Sequence, residues 1–194
     1  MDRREFLRKA AVGGAAAVAG AAGFPTIVKA SALGKDGAVA ASDRIVMAGI
    51  GFGMMGPGNM SSFLEKPEVQ WVAVCDLDTE PLAMAKGMVD KAYGNKNCAT
   101  YHDFRELFLR KDLDAVSIAV PDHWHAVLAI SALRAGLDVY GEKPLTHNLR
   151  EGRALCDAVA RYGRVWQTGS WQRSVENFHQ ACELVRNGRI GKVK

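Results

Sequence analysis

The chain has 194 residues, of which 48% are hydrophobic, and it carries a formal net charge of +4. This length supports one sizeable hydrophobic core, and the composition excludes a disordered chain, a collagen-like fibre and a membrane bundle. Residues 1–32 hold five basic and two acidic side chains and therefore +3 of the charge. The remainder is nearly neutral, which argues against a nucleic-acid-binding surface.

Residues 1–32 have the pattern of a targeting segment. Arg3 and Arg4 precede a weakly apolar, Ala/Gly-rich run from Ala10 to Gly23, which is too short and too rich in glycine for a membrane span. The sequence Arg3-Arg4-Glu5-Phe6-Leu7 resembles the twin-arginine export signal of bacteria, with Ala30-Ser31-Ala32 as a cleavage site. We therefore predict export to the periplasm by the twin-arginine machinery. The alternative is an ordinary amphipathic N-terminal helix.

Apolar runs alternate with helical patterns after a linker at residues 33–43. The runs are hydrophobic at nearly every position, which is typical of strands buried on both faces of a parallel sheet. They span residues 45–50, 69–75, 115–120, 137–140 and 165–169. The predicted helices span residues 58–64, 80–92, 104–109, 125–135, 148–162 and 175–187. This order predicts an α/β fold with a doubly wound parallel sheet (Rossmann), in which ligands bind at the carboxyl ends of the strands.

The four cysteines give no sign of a metal site or of a disulfide framework. They are far apart, form no CxxC pair and have no histidine at ligand spacing. Three of them, Cys75, Cys156 and Cys182, lie within apolar patterns, which predicts buried side chains.

A glycine-rich loop follows the first predicted strand. Gly51, Gly53 and Gly56 form G-x-G-x-x-G, which allows a tight turn, close approach to a pyrophosphate and close packing of helix on strand. The second run ends at Asp76, where a carboxylate can accept hydrogen bonds from the adenosine ribose and repel the 2′-phosphate of NADP. We predict NAD rather than NADP. The alternative is that Asp76 or Asp78 caps the following helix.

Two further motifs lie where strands are predicted to end. After residues 115–120 comes Pro121-Asp122-His123-Trp124-His125, in which Pro and Asp break the strand and cap the helix. The histidines could line a nicotinamide crevice or serve in packing. After residues 137–140 comes Glu142-Lys143-Pro144, where proline restricts Lys143 to extended geometry. Such a lysine could bind a substrate oxygen and stabilise negative charge, or it could belong to a solvated turn.

Together with the sequence GRVWQTGSWQRS at residues 163–174, these motifs resemble the glucose–fructose oxidoreductase, inositol dehydrogenase and rhizopine-catabolism oxidoreductase (Gfo/Idh/MocA) family. The similarity covers about residues 44–194. The resemblance implies an NAD(P)-dependent dehydrogenase that acts on a sugar or cyclitol hydroxyl, with Lys143 as the catalytic residue beside the nicotinamide. It also implies cofactor binding by the glycines, Asp76, Pro121, His125 and Glu142. We expect no metal, and we expect a homo-oligomer of the full-length protein.

The resemblance also implies a second, substrate-binding domain, with an Asp and a His spaced D-x-x-x-H. The chain ends at Lys194 before such a motif. We therefore expect a signal segment at 1–32, a linker at 33–43, an NAD(P)-binding domain at 44–173, and a crossover helix with the start of a missing domain at 174–194. If complete, the chain should bind NAD with little sugar turnover. If truncated, its parent should be an exported oxidoreductase.

Two other functions stay open at this point. The first is an NAD-dependent glycosidase, which cleaves glycosides through transient oxidation of the sugar; its members tend to lack Glu-Lys-Pro. The second is a non-catalytic NAD-binding module.

Overall fold

The computed structural model describes residues 33–35 and 39–192. The predicted export signal and its cleavage site, residues 1–32, lie outside the described residues. The chain forms two compact units, residues 1–42 and residues 43–194. Of the first unit, residues 33–35 and 39–42 are described, and the second unit holds the sheet discussed below.

Six parallel strands form one sheet in the order β3-β2-β1-β4-β5-β6. The strand order reverses between β1 and β4, which is where a doubly wound sheet binds its ligands. This confirms the predicted fold class. The strands are β1 Ile45–Ile50, β2 Val69–Cys75, β3 Ala99–Tyr101, β4 Ala115–Ile118, β5 Asp138–Glu142 and β6 Trp166–Gly169.

Helices connect the strands, and their ends follow local capping chemistry. Asp78 and Asn148 each accept a backbone hydrogen bond at a helix start, while Gly94 and Gly163 end helices with φ of 64° and 60°. No helix in the described part of the chain is long and apolar enough to cross a membrane. The helices are α1 Gly56–Leu64, α2 Thr79–Tyr93, α3 Phe104–Leu107, α4 His125–Arg134, α5 Leu149–Tyr162 and α6 Glu176–Arg186.

Strand β4 ends two residues before its predicted run and β6 begins one residue after its own, and two larger differences concern β3 and β5. The strand β3 was not predicted, because its three residues are too few to stand out as an apolar run. The fourth predicted run ends at Tyr140, whereas β5 continues to Glu142, which pairs with Gly169 of β6. Glu142 is therefore a strand residue, and Lys143 is the first residue beyond the sheet.

Hydrophobic clusters cover both faces of the sheet. One cluster joins β1, β2, β4 and β5 to α4 and α5, and the other joins β1 and β2 to α1 and α2. Burial of Cys75 is confirmed, but the prediction for Cys156 and Cys182 is wrong, since both are exposed on their helices. The apolar patterns around Cys156 and Cys182 indicated residues on one side of a helix, but not whether that side faces the core or the solvent.

Candidate functional site

A cleft of about 690 Å³ opens beside the carboxyl ends of β1, β2, β4 and β5. Its volume lies within the range of roughly 300–1,000 Å³ that is typical of ligand sites. The cleft brings together residues from the glycine loop, the end of β2, the segment after β4 and the turn after β5, but none from residues 163–174. Six of the predicted site residues line it, namely Gly51, Gly53, Asp76, Pro121, Glu142 and Lys143.

The three glycines of the loop have different surroundings. Gly51 has φ of 88°, and a Cβ there would lie 2.3 Å from the Ala119 carbonyl oxygen. A Cβ on Gly56 would lie 2.0 Å from the Gly51 carbonyl oxygen. Gly53 is exposed in the cleft, and no described atom outside its neighbours lies within 4 Å of the position of its Cβ. Gly51 and Gly56 therefore allow the fold of the loop, while Gly53 leaves space for a ligand.

The loop leads directly into α1, whose first turn includes Pro57. No described side chain caps this helix. Since the first backbone N–H groups of a helix lack partners within it and carry a partial positive charge, they favour an anion such as a phosphate. The residues present thus fit the pyrophosphate of a dinucleotide.

Asp76 lies at the end of β2 and joins that strand to the glycine loop. Its Oδ2 accepts a hydrogen bond from the Phe52 N–H at 2.7 Å, and its Oδ1 accepts one from the Asp78 N–H at 3.0 Å. Asp78, in turn, caps α2 by accepting from the Glu80 N–H. The capping alternative therefore applies to Asp78, whereas Asp76 holds the loop and still faces the cleft.

Lys143 follows β5, with an exposed side chain that lines the cleft, and its bond to Pro144 is cis. Its backbone N–H donates to Glu142 Oε2 at 3.2 Å. Glu142 is 5% exposed, and its Oε1 accepts from Asn59 Nδ2 of α1 at 2.9 Å. The buried carboxylate therefore contacts both the lysine backbone and the helix after the glycine loop.

His125 is buried and does not line the cleft. Its side chain is 1% exposed, and its ring lies between two backbone carbonyls. Nδ1 lies 2.5 Å from the Pro144 oxygen and Nε2 lies 2.8 Å from the Val120 oxygen. His125 thus joins the loop after β4 to the turn after β5, behind the wall of the cleft, which favours the packing alternative; its contact with a cofactor stays a prediction.

The segment after β3 forms a further part of the cleft that was not predicted from the sequence. His102, Asp103, Phe104 and Arg105 line the cleft near Asp76, and His102 Nδ1 lies 2.9 Å from the Asp76 carbonyl oxygen. Asp103 caps α3 and pairs with the Arg105 guanidinium at 2.9 Å. The run Ala99-Thr100-Tyr101 followed by a capping aspartate is the signal that could have revealed this segment.

Burial raises the pKa of two groups near the cleft. It raises the pKa of the Cys75 thiol to about 12, with the Asp76 charge as a second cause. It also raises the pKa of the Tyr140 phenol, with Glu142 as the second cause. Both groups are therefore neutral at pH 7, and Cys75 is unsuited to act as a nucleophile. Within residues 33–35 and 39–192, no three His, Cys, Asp or Glu side chains group as metal ligands.

Comparison with known proteins shows relatives among sugar and cyclitol enzymes. D-glucoside 3-dehydrogenase of Escherichia coli is 29% identical over 133 residues, which cover 69% of this chain and 36% of that protein. A glycosyl hydrolase family 109 protein of Stenotrophomonas maltophilia is 34% identical, covering 100% of this chain and 40% of that protein. The chain thus spans well under half the length of these relatives.

A solved structure agrees with the fold. The crystal structure of myo-inositol 2-dehydrogenase from Lactobacillus plantarum superposes with a TM-score of 0.68 at 29% sequence identity, covering 77% of this chain and 43% of that one. Residues 44–170 match the family described as "Oxidoreductase family, NAD-binding Rossmann fold". This match covers more than half of the chain and includes every predicted cofactor-site residue, so the chain belongs to the Gfo/Idh/MocA oxidoreductase family.

Proposed function

We propose that this chain supplies the NAD-binding domain and the hydride-site lysine of an oxidoreductase that acts on a hydroxyl or ketone of a sugar or cyclitol. The observation that carries this proposal is that Lys143 lines the same cleft as Gly51, Gly53 and Asp76. A dehydrogenase needs a cofactor cradle and a polar group for the substrate oxygen in one site. The glucoside and inositol dehydrogenases among the relatives support the substrate class.

The chemical roles follow from the positions of the side chains. Bound NAD would accept a hydride from the carbon that bears the substrate hydroxyl, while the hydroxyl proton would pass to a general base, the role that the resemblance gives to the D-x-x-x-H motif of the substrate-binding domain. The glycine loop and the start of α1 would hold the pyrophosphate, and Asp76 would accept hydrogen bonds from the adenosine ribose. The Lys143 ammonium would donate a hydrogen bond to the substrate oxygen, orient it and stabilise the negative charge that develops there.

We further propose NAD rather than NADP as the preferred cofactor. The Asp76 carboxylate lines the cleft at the end of β2, where its charge would repel a 2′-phosphate. Arg105, a cation that also lines the cleft, is already paired with Asp103 at 2.9 Å. Calorimetric titration with NAD and NADP tests this choice, and equal affinities would contradict it.

The catalytic role of Lys143 is tested by sugar-dependent formation of NADH in the full-length protein. Lys143→Met should lower kcat by about 10²- to 10⁴-fold, as expected for loss of a group that acts on the reacting oxygen. Lys66→Met, at an exposed residue after α1 outside the cleft lining, is the matched control and should leave kcat unchanged. Equal activity of the Lys143 variant and the wild type would refute the assignment.

A second candidate is an NAD-dependent glycosidase that oxidises its sugar transiently. The observation in its favour is the 34% identity to a glycosyl hydrolase family 109 protein. Release of nitrophenol from a nitrophenyl glycoside, with the amount of NAD unchanged, would support this candidate. Stoichiometric formation of NADH from a free sugar would exclude it as the main activity.

We also propose export through the twin-arginine pathway, supported by Arg3-Arg4 and the Ala/Gly-rich run that follows. Replacing both arginines with lysine should keep a fused reporter out of the periplasm while the charge is conserved. Export of the variant at the wild-type level would refute this proposal. A homo-oligomer of the full-length protein stays a prediction, which sedimentation velocity would test.

A further inference from the structure

Glu142 is almost fully buried, and each of its two carboxylate oxygens accepts a hydrogen bond. Its Oε1 accepts from the Asn59 side chain at 2.9 Å, and its Oε2 accepts from the Lys143 backbone N–H at 3.2 Å. A buried carboxylate needs such partners, because its desolvation is costly. Asn59 must present its amide NH₂ to this carboxylate, since only that half of the amide can donate.

These contacts join two distant parts of the chain. Asn59 lies on α1 only three residues after Gly56, whereas Lys143 follows β5. Gly169 of β6 leaves room for the carboxylate, because a Cβ there would lie 2.9 Å from Glu142 Oε1. The helix that follows the glycine loop is thus linked through one carboxylate to the backbone of the lysine.

We propose that Asn59 is a positioning residue: acting through Glu142, it holds Lys143 at a fixed place relative to α1 and the glycine loop. The inference rests on the proposed function, since it supposes that the cofactor lies between these two elements. Its consequence is that binding at the nicotinamide end of the cleft depends on the side chain at position 59, although that residue does not line the cleft.

The donor and acceptor groups at positions 59 and 142 can be exchanged by substitution, and this exchange tests the inference. Both Glu142 oxygens face donors, so Glu142→Gln loses one of the two hydrogen bonds, because an amide offers one acceptor atom. Asn59→Asp sets two carboxylates against each other. In the double variant, the new amide at position 142 can accept from the Lys143 N–H through its oxygen, while its NH₂ donates to the new carboxylate at position 59. Both hydrogen bonds are then restored with one of them reversed.

The experiment measures binding of NADH and of ADP-ribose, which lacks the nicotinamide, to the full chain and its variants. Asn59→Asp should weaken NADH binding by about tenfold or more, the range for a lost hydrogen bond to a charged group, with ADP-ribose affected less. Adding Glu142→Gln to Asn59→Asp should recover most of this loss. Asn59→Ala should also weaken NADH binding, but Glu142→Gln should not rescue it.

Ser61→Asp is the matched control, since it adds the same charge to an exposed position of α1. It should change NADH binding less than Asn59→Asp, and Glu142→Gln should not rescue it. The amide resonance of Lys143 in ¹H–¹⁵N spectra should shift in Asn59→Asp and return in the double variant, and this readout needs no cofactor.

Three outcomes would overturn the inference: equal NADH affinity of Asn59→Asp and the wild type, no recovery in the double variant, or equal weakening of NADH and ADP-ribose. Failure of the wild-type chain to bind either ligand is a different result, because it refutes the proposed cofactor site and the inference that rests on it.

Discussion

Alanine substitutions at two glycines of the same loop should separate folding from ligand binding. In Gly56→Ala, the new Cβ would lie 2.0 Å from the Gly51 carbonyl oxygen, a distance that side-chain atoms essentially never show. The loop and α1 must therefore move apart by about 1 Å. Forced overpacking of this kind costs about 1–3 kcal/mol, of which the better helix propensity of alanine recovers roughly 0.5–1 kcal/mol.

We expect a net loss of about 1–2 kcal/mol for Gly56→Ala, measured as the free energy of unfolding in urea. For a domain of this size each kcal/mol lowers Tm by roughly 2–4 °C. The comparison is Gly53→Ala, where the Cβ points into open space and the change in stability should stay within about 0.5 kcal/mol. That variant should instead weaken NADH binding, by about tenfold for each 1.4 kcal/mol of lost contact.

The two variants should therefore show opposite profiles, one affected in stability and the other in affinity. Wild-type stability of Gly56→Ala would refute the reasoning from backbone contact. Wild-type affinity of a well-folded Gly53→Ala would refute the placement of a pyrophosphate beside that glycine.

Other predictions concern the cleft and its supports. Asp76→Ser should lower the ratio of the Kd for NADP to the Kd for NAD by about tenfold, since it removes the charge that opposes a 2′-phosphate. An unchanged ratio in calorimetric titrations would contradict this prediction. His125→Leu removes a buried ring whose N–H can donate to one of the two carbonyls, at a cost of about 1–3 kcal/mol, whereas His147→Leu at an exposed site should cost less than about 0.5 kcal/mol. Similar urea midpoints of the two variants would disprove the role of His125. Iodoacetamide at pH 8 reacts with thiolates, so it should label the exposed cysteines of the folded chain and spare the buried ones. Burial raises the pKa of Cys75 to about 12 and that of Cys98 to about 11. Mass spectrometry should therefore find labels on Cys156 and Cys182 but not on Cys75 and Cys98.

The helix and strand pattern was largely predictable because parallel strands buried on both faces are apolar at nearly every position. The bounds of β1 and β2 agree with the predicted runs at both ends. The strand β3 escaped prediction, since its three residues make up too short a run. Because β3 was not predicted, the cleft segment that follows it, from His102 to Arg105, was not associated with a ligand either.

The glycine loop, Asp76 and Lys143 were recognisable from sequence because their chemistry depends on residue type and on position after a strand. All of them lie at the cleft, either on its surface or, for Gly56, directly beneath the loop. The carboxyl ends of parallel strands meet at one edge of a sheet, so the order of elements is enough to bring these residues together.

What the sequence determined by itself was therefore the fold class and the set of motifs that meet at one edge of the sheet. Tertiary structure decided which side chains face the cleft and which support it. His125 turns inward to two carbonyls, and Asn59, which no motif singled out, reaches Glu142 across 83 positions of sequence. Periodicity and residue type specify where a residue lies along its element, but the direction and partners of a buried polar side chain depend on contacts between elements that are distant in the chain.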